Sequence, residues 1–118
     1  MSRAERPAVK NDDPIAARDI SEALTTAPLT YTDGATQVFT CDGHTTYTEH
    51  GSATSGTWGV DAQGRFWSFW PPTYRATYDV SWITDGEGDA VGIRFTECNR
   101  GATSEGRYTP ILTSKPPQ

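Results

Sequence analysis

Apolar and polar side chains alternate along most of the chain after Leu29, as they do in β-strands that bury one face. Segment 76–84 shows this most clearly. One face carries Ala76, Tyr78, Val80 and Trp82, and the other carries Thr77, Asp79 and Ser81. The next strand repeats the pattern, with Val91, Ile93 and Phe95 alternating with Gly92, Arg94 and Thr96. A last strand is predicted over residues 102–109.

Short polar turns separate the predicted strands. Asp42-Gly43 lies between two β-prone runs, residues 36–41 and 44–49. Asp-Gly between such runs is a strong signal for a β-hairpin. Segments 85–89 and 99–101 are also predicted as turns, because they are rich in glycine and polar residues. Since these connections are short, we expect neighbouring strands to be antiparallel.

The centre of the chain, residues 56–72, holds three of the four tryptophans. It is typical of two strands joined by the tight turn 61–64. Pro71-Pro72 ends the second strand, because proline has no N–H to donate to a β-ladder. In residues 65–70 aromatic side chains occupy both faces of one strand. One face belongs to the interior, and the other needs cover from the helix, a loop or a partner.

Before these strands, near-helical spacing of apolar residues predicts one amphipathic helix over residues 13–26. The spaced residues are Ile15, Ala16, Ile20, Ala23 and Leu24. Asp12 or Asp13 is the expected N-cap, with Pro14 in the first turn. Because a single short helix is marginal alone, we expect it to dock on the sheet, or to cap an open end of a barrel.

Together these elements predict a mainly β fold. About seven short strands form an antiparallel meander, and a twisted meander removes its exposed edges best by closing. We therefore expect a small up-and-down β-barrel with one N-terminal helix; an open sheet packed on the helix is the second choice. The 118 residues suit one domain over residues 13–112, with the barrel over 30–110. Residues 1–12 and 113–118 are predicted to be disordered tails.

Charge and hydropathy narrow the choice of partners. A net charge of −5 disfavours nucleic acids and anionic membrane surfaces, which bind Lys and Arg. No segment approaches the roughly 20 apolar residues of a membrane span. With Met1 as the natural start, the absence of an apolar signal region favours a cytoplasmic location. We expect a monomer or homodimer without a cofactor, bound to neither nucleic acid nor membrane.

The chain has two cysteines, Cys41 and Cys98, which are too few for a disulfide framework. In a reducing cytosol we expect two free, part-buried thiols. In an exported protein the same two residues could bridge the first and sixth strands.

Candidate catalytic and metal-binding groups are few. No Gly-x-Ser-x-Gly nucleophile elbow occurs, and the histidines are His44 and His50. His44 lies across a turn from Cys41, but a solvated turn histidine is the simpler interpretation. The acidic turn 85–89 lacks the loop length and the closing glutamate of an EF-hand. The sequence therefore predicts neither catalytic residues nor a metal site.

Aromatic side chains on successive strands are the most informative group. In a small protein they are expected first of all to form the core. A second interpretation is that some of them line a cavity, which makes them candidates for ligand binding. These candidates are Trp58, Trp67, Trp70, Tyr78, Trp82 and Phe95. Arg94 lies on the opposite face of its strand from Phe95, so it should point away from such a cavity.

Two short motifs resemble those of lipocalin-like (calycin) barrels. Gly56-Thr57-Trp58 resembles the Gly-x-Trp signature, and Gly106-Arg107-Tyr108 resembles the segment whose arginine packs across that tryptophan. The order of motifs over roughly residues 30–110 is similar to small bacterial lipocalin-like proteins, including the MoaF-like kind. Lipocalins carry the tryptophan motif on the first strand, whereas here it lies on about the third. The resemblance implies a barrel that binds a small apolar or amphipathic ligand.

Three classes of function stay open at this point. We favour non-catalytic binding of a small apolar or aromatic ligand inside a lipocalin-like barrel. The second class is a small barrel enzyme whose acid or base is His44, Asp79 or Arg94; Asp79 with Glu97 also stays open as a carboxylate pair. The third is a protein-interaction module that uses an exposed aromatic face. An apolar cavity with one or two polar groups would favour binding, whereas a polar mouth that holds a His–carboxylate pair would favour catalysis. The oligomeric state separates the third class. The most useful single observation is whether the barrel interior is hollow or filled.

Overall fold

A computed structural model describes residues 9–109. In this range the chain forms one helix and eight strands. They are α1 (Ala17–Thr25), β1 (Leu29–Tyr31), β2 (Thr36–Phe39), β3 (His44–Glu49), β4 (Ser52–Val60), β5 (Phe66–Trp70), β6 (Tyr74–Thr84), β7 (Ala90–Glu97) and β8 (Thr103–Tyr108). The strands pair antiparallel with their sequence neighbours and close into a barrel. The mainly β, antiparallel barrel with one N-terminal helix is therefore confirmed.

Closure depends on β1, a strand of three residues. Leu29 pairs with Gln37 of β2 on one side and with Tyr108 of β8 on the other. The expected seven strands are one too few, because β1 is too short to show an alternating pattern. The pairing of β1 with β8 joins the two ends of the meander and removes both of its edges.

The hairpin turns share one design. In four of them the carbonyl of the first residue accepts a hydrogen bond from a glycine three positions later, and that glycine has a positive φ. The glycines are Gly34, Gly43, Gly64 and Gly88. In the predicted acidic turn, Asp85 Oδ1 accepts from the backbone N–H groups of Glu87 and Asp89, at 2.8 and 3.0 Å. Its side chain therefore holds the turn.

The barrel has two distinct ends. The turns 40–43, 61–65 and 85–89 lie at the end that α1 covers, which we call the base. The turns 32–35, 50–51, 71–73 and 98–102 lie at the other end, which we call the mouth. At the base, Ile20 and Leu24 are each only 1% exposed, and they join one apolar cluster with barrel side chains. Tyr108 Oη donates to the Ala23 carbonyl at 2.7 Å. The helix therefore caps one end of the barrel, which is one of the two arrangements expected from the sequence.

The helix is shorter than predicted. It begins at Ala17 rather than residue 13, and its N-cap is Ala16 with no side-chain bond, so the expected cap at Asp12 or Asp13 is wrong. Residues 12–15 instead run beside β6. Trp82 N–H donates to the Asp13 carbonyl at 2.9 Å. Because β5 pairs only with residues 74–78 of β6, the rest of that strand is free to bind this segment.

Residues 9–12 belong to the segment that was predicted as an N-terminal tail, and two of them contact the barrel. Asn11 Oδ1 accepts a hydrogen bond from the Thr84 N–H at 3.0 Å, and Arg94 forms an ion pair with Asp12, so this segment is packed on the barrel. The remainder of that tail, Ile111-Leu112 and the predicted tail 113–118 lie outside the described residues.

Both cysteines are free and exposed, so the expected partial burial is wrong. Cys41 lies in a base turn and Cys98 in a mouth turn, at opposite ends of the barrel. A bridge between them does not fit this topology. Among the described residues, no helix has the length and apolar character needed to cross a membrane.

We expect the apolar cluster at the base to stabilise the fold, and the substitution Ile20→Asp tests this expectation. The substitution buries an unpaired carboxylate in the apolar cluster, so we expect the free energy of unfolding to fall by about 3 kcal/mol or more. Urea denaturation followed by tryptophan fluorescence measures this loss. Ser21→Asp, at an exposed position of the same helix, is the matched control and should change it by about 0.5 kcal/mol or less. Equal stability of both variants would contradict the docking of α1.

Candidate functional site

The mouth half of the barrel is hollow. It contains a cavity of about 570 Å³ that opens to solvent between the mouth turns. Phe66 and Phe95 form its floor, because they line the cavity and also belong to the buried cluster below it. Small side chains such as Thr54, Ser68 and Ser104 line its walls and leave the space empty.

Six aromatic side chains from five strands form one continuous surface around this cavity. Within the floor, the ring centroids of Phe66 and Phe95 are 5.4 Å apart. Tyr31 joins the floor to the wall, with its ring centroid 6.2 Å from Phe95 and 6.0 Å from Tyr47. The full set is Tyr31, Tyr47, Phe66, Trp70, Tyr78 and Phe95. Such rings present apolar faces to a ligand and keep polar edges and hydroxyls for hydrogen bonds.

Trp70 reaches the wall because Gly56 lies beneath it. A Cβ at position 56 would come within 2.6 Å of both the Trp70 ring and the Phe69 carbonyl. Gly59 plays the same part on the outer face, where an added Cβ would lie 2.8 Å from the Trp67 ring. The two glycines that flank Thr57-Trp58 therefore provide the space for two other tryptophans.

A chain of hydrogen bonds crosses one wall of the cavity. Tyr31 Oη donates to Gln37 Oε1 at 2.6 Å, and Gln37 Nε2 donates to Thr45 Oγ1 at 2.8 Å. Thr45 Oγ1 in turn donates to the Val38 carbonyl at 2.9 Å. The polar atoms of buried Gln37 and Thr45 are thus satisfied, and the wall keeps its shape without a ligand.

A second polar group lies around Ser68 on β5. Trp70 Nε1 donates to Ser68 Oγ at 3.2 Å, which orients the indole. Nearby, Tyr74 Oη lies 3.5 Å from Glu97 Oε2, and Arg100 forms an ion pair with the same carboxylate at 3.3 Å. The charge of the buried Glu97 is therefore balanced at the mouth.

The environment of the cavity keeps its tyrosines neutral. Burial, together with the neighbouring Tyr74, raises the pKa of Tyr78 to about 12. Burial also raises the pKa of Tyr31 well above its usual range. The pKa of Tyr47 is raised by burial first and then by the negative charges of Asp33 and Glu49. These hydroxyls therefore act as hydrogen-bonding groups rather than as bases at neutral pH.

Three of the six residues predicted from the sequence line the cavity: Trp70, Tyr78 and Phe95. Trp58 points inward but lies in the base, 7% exposed, with Nε1 donating to the carbonyls of Thr40 and His44. It does not pack against Arg107, which is exposed on the outer face of β8.

The other two tryptophans also lie away from the cavity. Trp67 is on the outer face of β5, where the Arg75 guanidinium lies 4.9 Å from its ring centroid. Trp82 shares the inward face with Val80, but it is at the base end, where Asp12 and Asp13 bond its backbone. Trp58 and Trp82 therefore do not line this cavity. Arg94 points outward, as expected, and binds Glu105 at 2.8 Å.

The other candidate groups do not meet in the cavity. His44 is exposed at the base end of β3 with Asp42 3.2 Å away, and His50 is exposed in a mouth turn. Asp79 forms a surface ion pair with Arg65 at 3.0 Å. Within residues 9–109, no group of three His, Cys, Asp or Glu side chains is arranged to hold a metal ion.

Sequence reasoning did not select Tyr31, Gln37, Tyr47 and Ser68. Tyr47 could have been found, because it lies on the same face as Thr45 in a strand that was itself predicted. Tyr31 could not, since its strand has only three residues. Searches against protein-family models, curated proteins and solved structures found no match to this chain. The site is therefore interpreted from its own geometry.

The raised pKa of Tyr78 predicts alkaline instability. Well below pH 10 both states keep the phenol protonated, so this residue makes no pH-dependent contribution there. Between pH 10 and 12 the unfolded chain loses the proton while the folded barrel keeps it, so the free energy of unfolding falls. Tyr78→Phe should make the fall shallower, as measured by urea denaturation at a series of pH values. The same slope in both proteins would contradict the burial of this hydroxyl.

Proposed function

We propose that this protein is a non-catalytic binding protein that takes up a small apolar or aromatic ligand in the mouth half of a lipocalin-like barrel. The continuous surface of six aromatic rings around the cavity is the observation that carries the proposal. The volume of about 570 Å³ lies within the range of roughly 300–1,000 Å³ that is usual for small-molecule sites.

The size of the barrel supports this proposal. Eight strands enclose an interior that side chains can fill or that can hold one small ligand. In this barrel both arrangements occur at different heights along the axis: side chains fill the base, and the mouth half is hollow. Phe39, Trp58 and the helix residues Ile20 and Leu24 fill the base. The mouth keeps enough space for a small aromatic ligand.

The polar groups of the cavity suit orientation of a ligand rather than its conversion. Gln37, Ser68 and the hydroxyls of Tyr31 and Tyr78 are neutral and already hydrogen-bonded. Both histidines lie outside the cavity. A few placed polar groups among aromatic walls are typical of binding sites.

Location and assembly are also proposals. We propose a cytoplasmic protein, because two exposed, free cysteines suit a reducing compartment. We favour a monomer over a homodimer, because the described strands close on themselves and leave no free edge for a second copy.

Binding of N-phenyl-1-naphthylamine, a neutral aromatic fluorophore, tests the proposed function. We expect a saturable rise in probe fluorescence and quenching of tryptophan emission. Trp70→Leu removes a ring from the cavity wall and should weaken binding by about tenfold. Trp67→Leu is the matched control, because it removes the same ring from the outer face of the same strand and should leave affinity unchanged.

Two results would contradict the proposal. The absence of saturable binding to the wild-type protein would show that the cavity does not accept an aromatic ligand. Loss of binding in Trp67→Leu but not in Trp70→Leu would place the ligand on the outer face, which would favour the interaction module.

A further inference from the structure

The two charged residues that line the cavity are both acidic: Asp33, in the first mouth turn, and Glu105, on β8. The Glu105 side chain lies on the outer face with its partner Arg94. Among the described residues, no Lys, Arg or His lines this space. The described part of the cavity lining therefore offers acidic groups and no positive group to balance an anion.

Of these two carboxylates, Glu105 is already neutralised. Its Oε2 accepts from Arg94 Nε at 2.9 Å and from Nη2 at 2.8 Å, and Arg107 lies 4.0 Å from Oε1. Asp33 is different. Its Oδ1 accepts a backbone hydrogen bond from Ala35 at 3.0 Å, but within the described residues it forms no ion pair. Its charge is available to a ligand.

Asp33 lies beside the aromatic wall. Its charge acts on the Tyr47 hydroxyl, where it adds to the effect of burial on the pKa of that group. The Tyr47 ring contacts Tyr31 on one side and Trp70 on the other, with centroids 6.0 and 6.3 Å apart. Electron-rich faces next to a carboxylate are the surroundings that a desolvated organic cation prefers, since cation–π and charge attraction then act together.

We infer that the cavity selects an amphipathic organic cation, with an aromatic body on the floor of Phe66 and Phe95 and an ammonium group between Asp33 and the Tyr31–Tyr47–Trp70 wall. This inference rests on the proposed function and names its ligand class. Fatty acids and aryl carboxylates are disfavoured, because their head group would lie beside Asp33 with no counter-charge. The net charge of the chain, −5, also favours a cationic ligand over an anionic one.

Three naphthalene probes that differ in one head group test the inference. They are 1-naphthylmethylamine, which is protonated at pH 7, the neutral 1-naphthalenemethanol and the anionic 1-naphthoate. Titration calorimetry should give an amine affinity about tenfold above that of the alcohol, with the naphthoate weakest. Raising the salt concentration to about 0.5 M should reduce the advantage of the amine.

Asp33→Asn is the decisive variant. The asparagine oxygen can still accept the bond from the Ala35 N–H, so the turn is kept while the charge is lost. The amine should then bind within about twofold of the alcohol. Asp61→Asn is the matched control. Asp61 Oδ1 accepts from the Gln63 and Arg65 N–H groups in the same kind of turn, but at the base, so the preference for the amine should persist.

The outcomes separate the two proposals. Equal affinity for all three probes would overturn the inference and leave the binding function intact. Tighter binding of naphthoate would overturn it as well. Retention of the amine preference in Asp33→Asn would remove the assigned role of this carboxylate. If none of the probes binds the wild-type protein, the binding function and the inference fall together.

Discussion

The pairing of β1 with both of its neighbours is the contact on which the rest of the structure depends. Three residues, Leu29–Tyr31, join β2 to β8 and turn a meander into a closed barrel. Side chains alternate along this strand, so Leu29 and Tyr31 both point inward. Leu29 is fully buried, with 0% exposure in the base cluster, whereas Tyr31 stands in the cavity wall. One short strand thus contributes to closure, to the core and to the site.

Closure sets the width of the interior, and side-chain volume then decides which part of it is hollow. At the base, large side chains and the helix fill the space. At the mouth, Thr54, Ser68 and Ser104 occupy inward positions and leave it open. Phe66 and Phe95 belong to both regions. Their rings pack in the core cluster, and they also form the floor of the cavity. The packed core and the proposed binding site are therefore separated along the barrel axis but share one layer of aromatic residues.

Much of the fold could be predicted because its signals are local. The hairpin around Asp42-Gly43 and the alternation over residues 76–84 depend on neighbouring residues alone. Two features could not be predicted in this way. β1 and the segment 12–15 acquire their structure from partners distant in sequence, such as Ser81 for Pro14. Pro14 indicated the first turn of a helix. In the structure, residues 12–15 are instead extended and pair with the part of β6 that β5 leaves free.

The site was only half predictable, for a geometric reason. Alternation shows which face of a strand points inward, but it does not show how far along the barrel axis a residue lies. Trp58 and Trp82 face inward yet lie at the base end. On β5 the sequence places aromatics on both faces, and only the register decides that Trp70 lies inside and Trp67 outside. Gln37 could not be recognised, because its role depends on contacts with Tyr31 and Thr45.

The central claim is that a ligand enters the mouth half while the base stays filled. The four tryptophan indole N–H signals of a two-dimensional ¹H–¹⁵N NMR spectrum report on both halves and on the outer face at once. During titration with N-phenyl-1-naphthylamine, the signal of Trp70 should shift progressively and saturate. The signals of Trp58, Trp67 and Trp82 should stay close to their starting positions. Saturable shifts of Trp58 or Trp82 with an unchanged Trp70 would contradict this account of where the barrel is hollow.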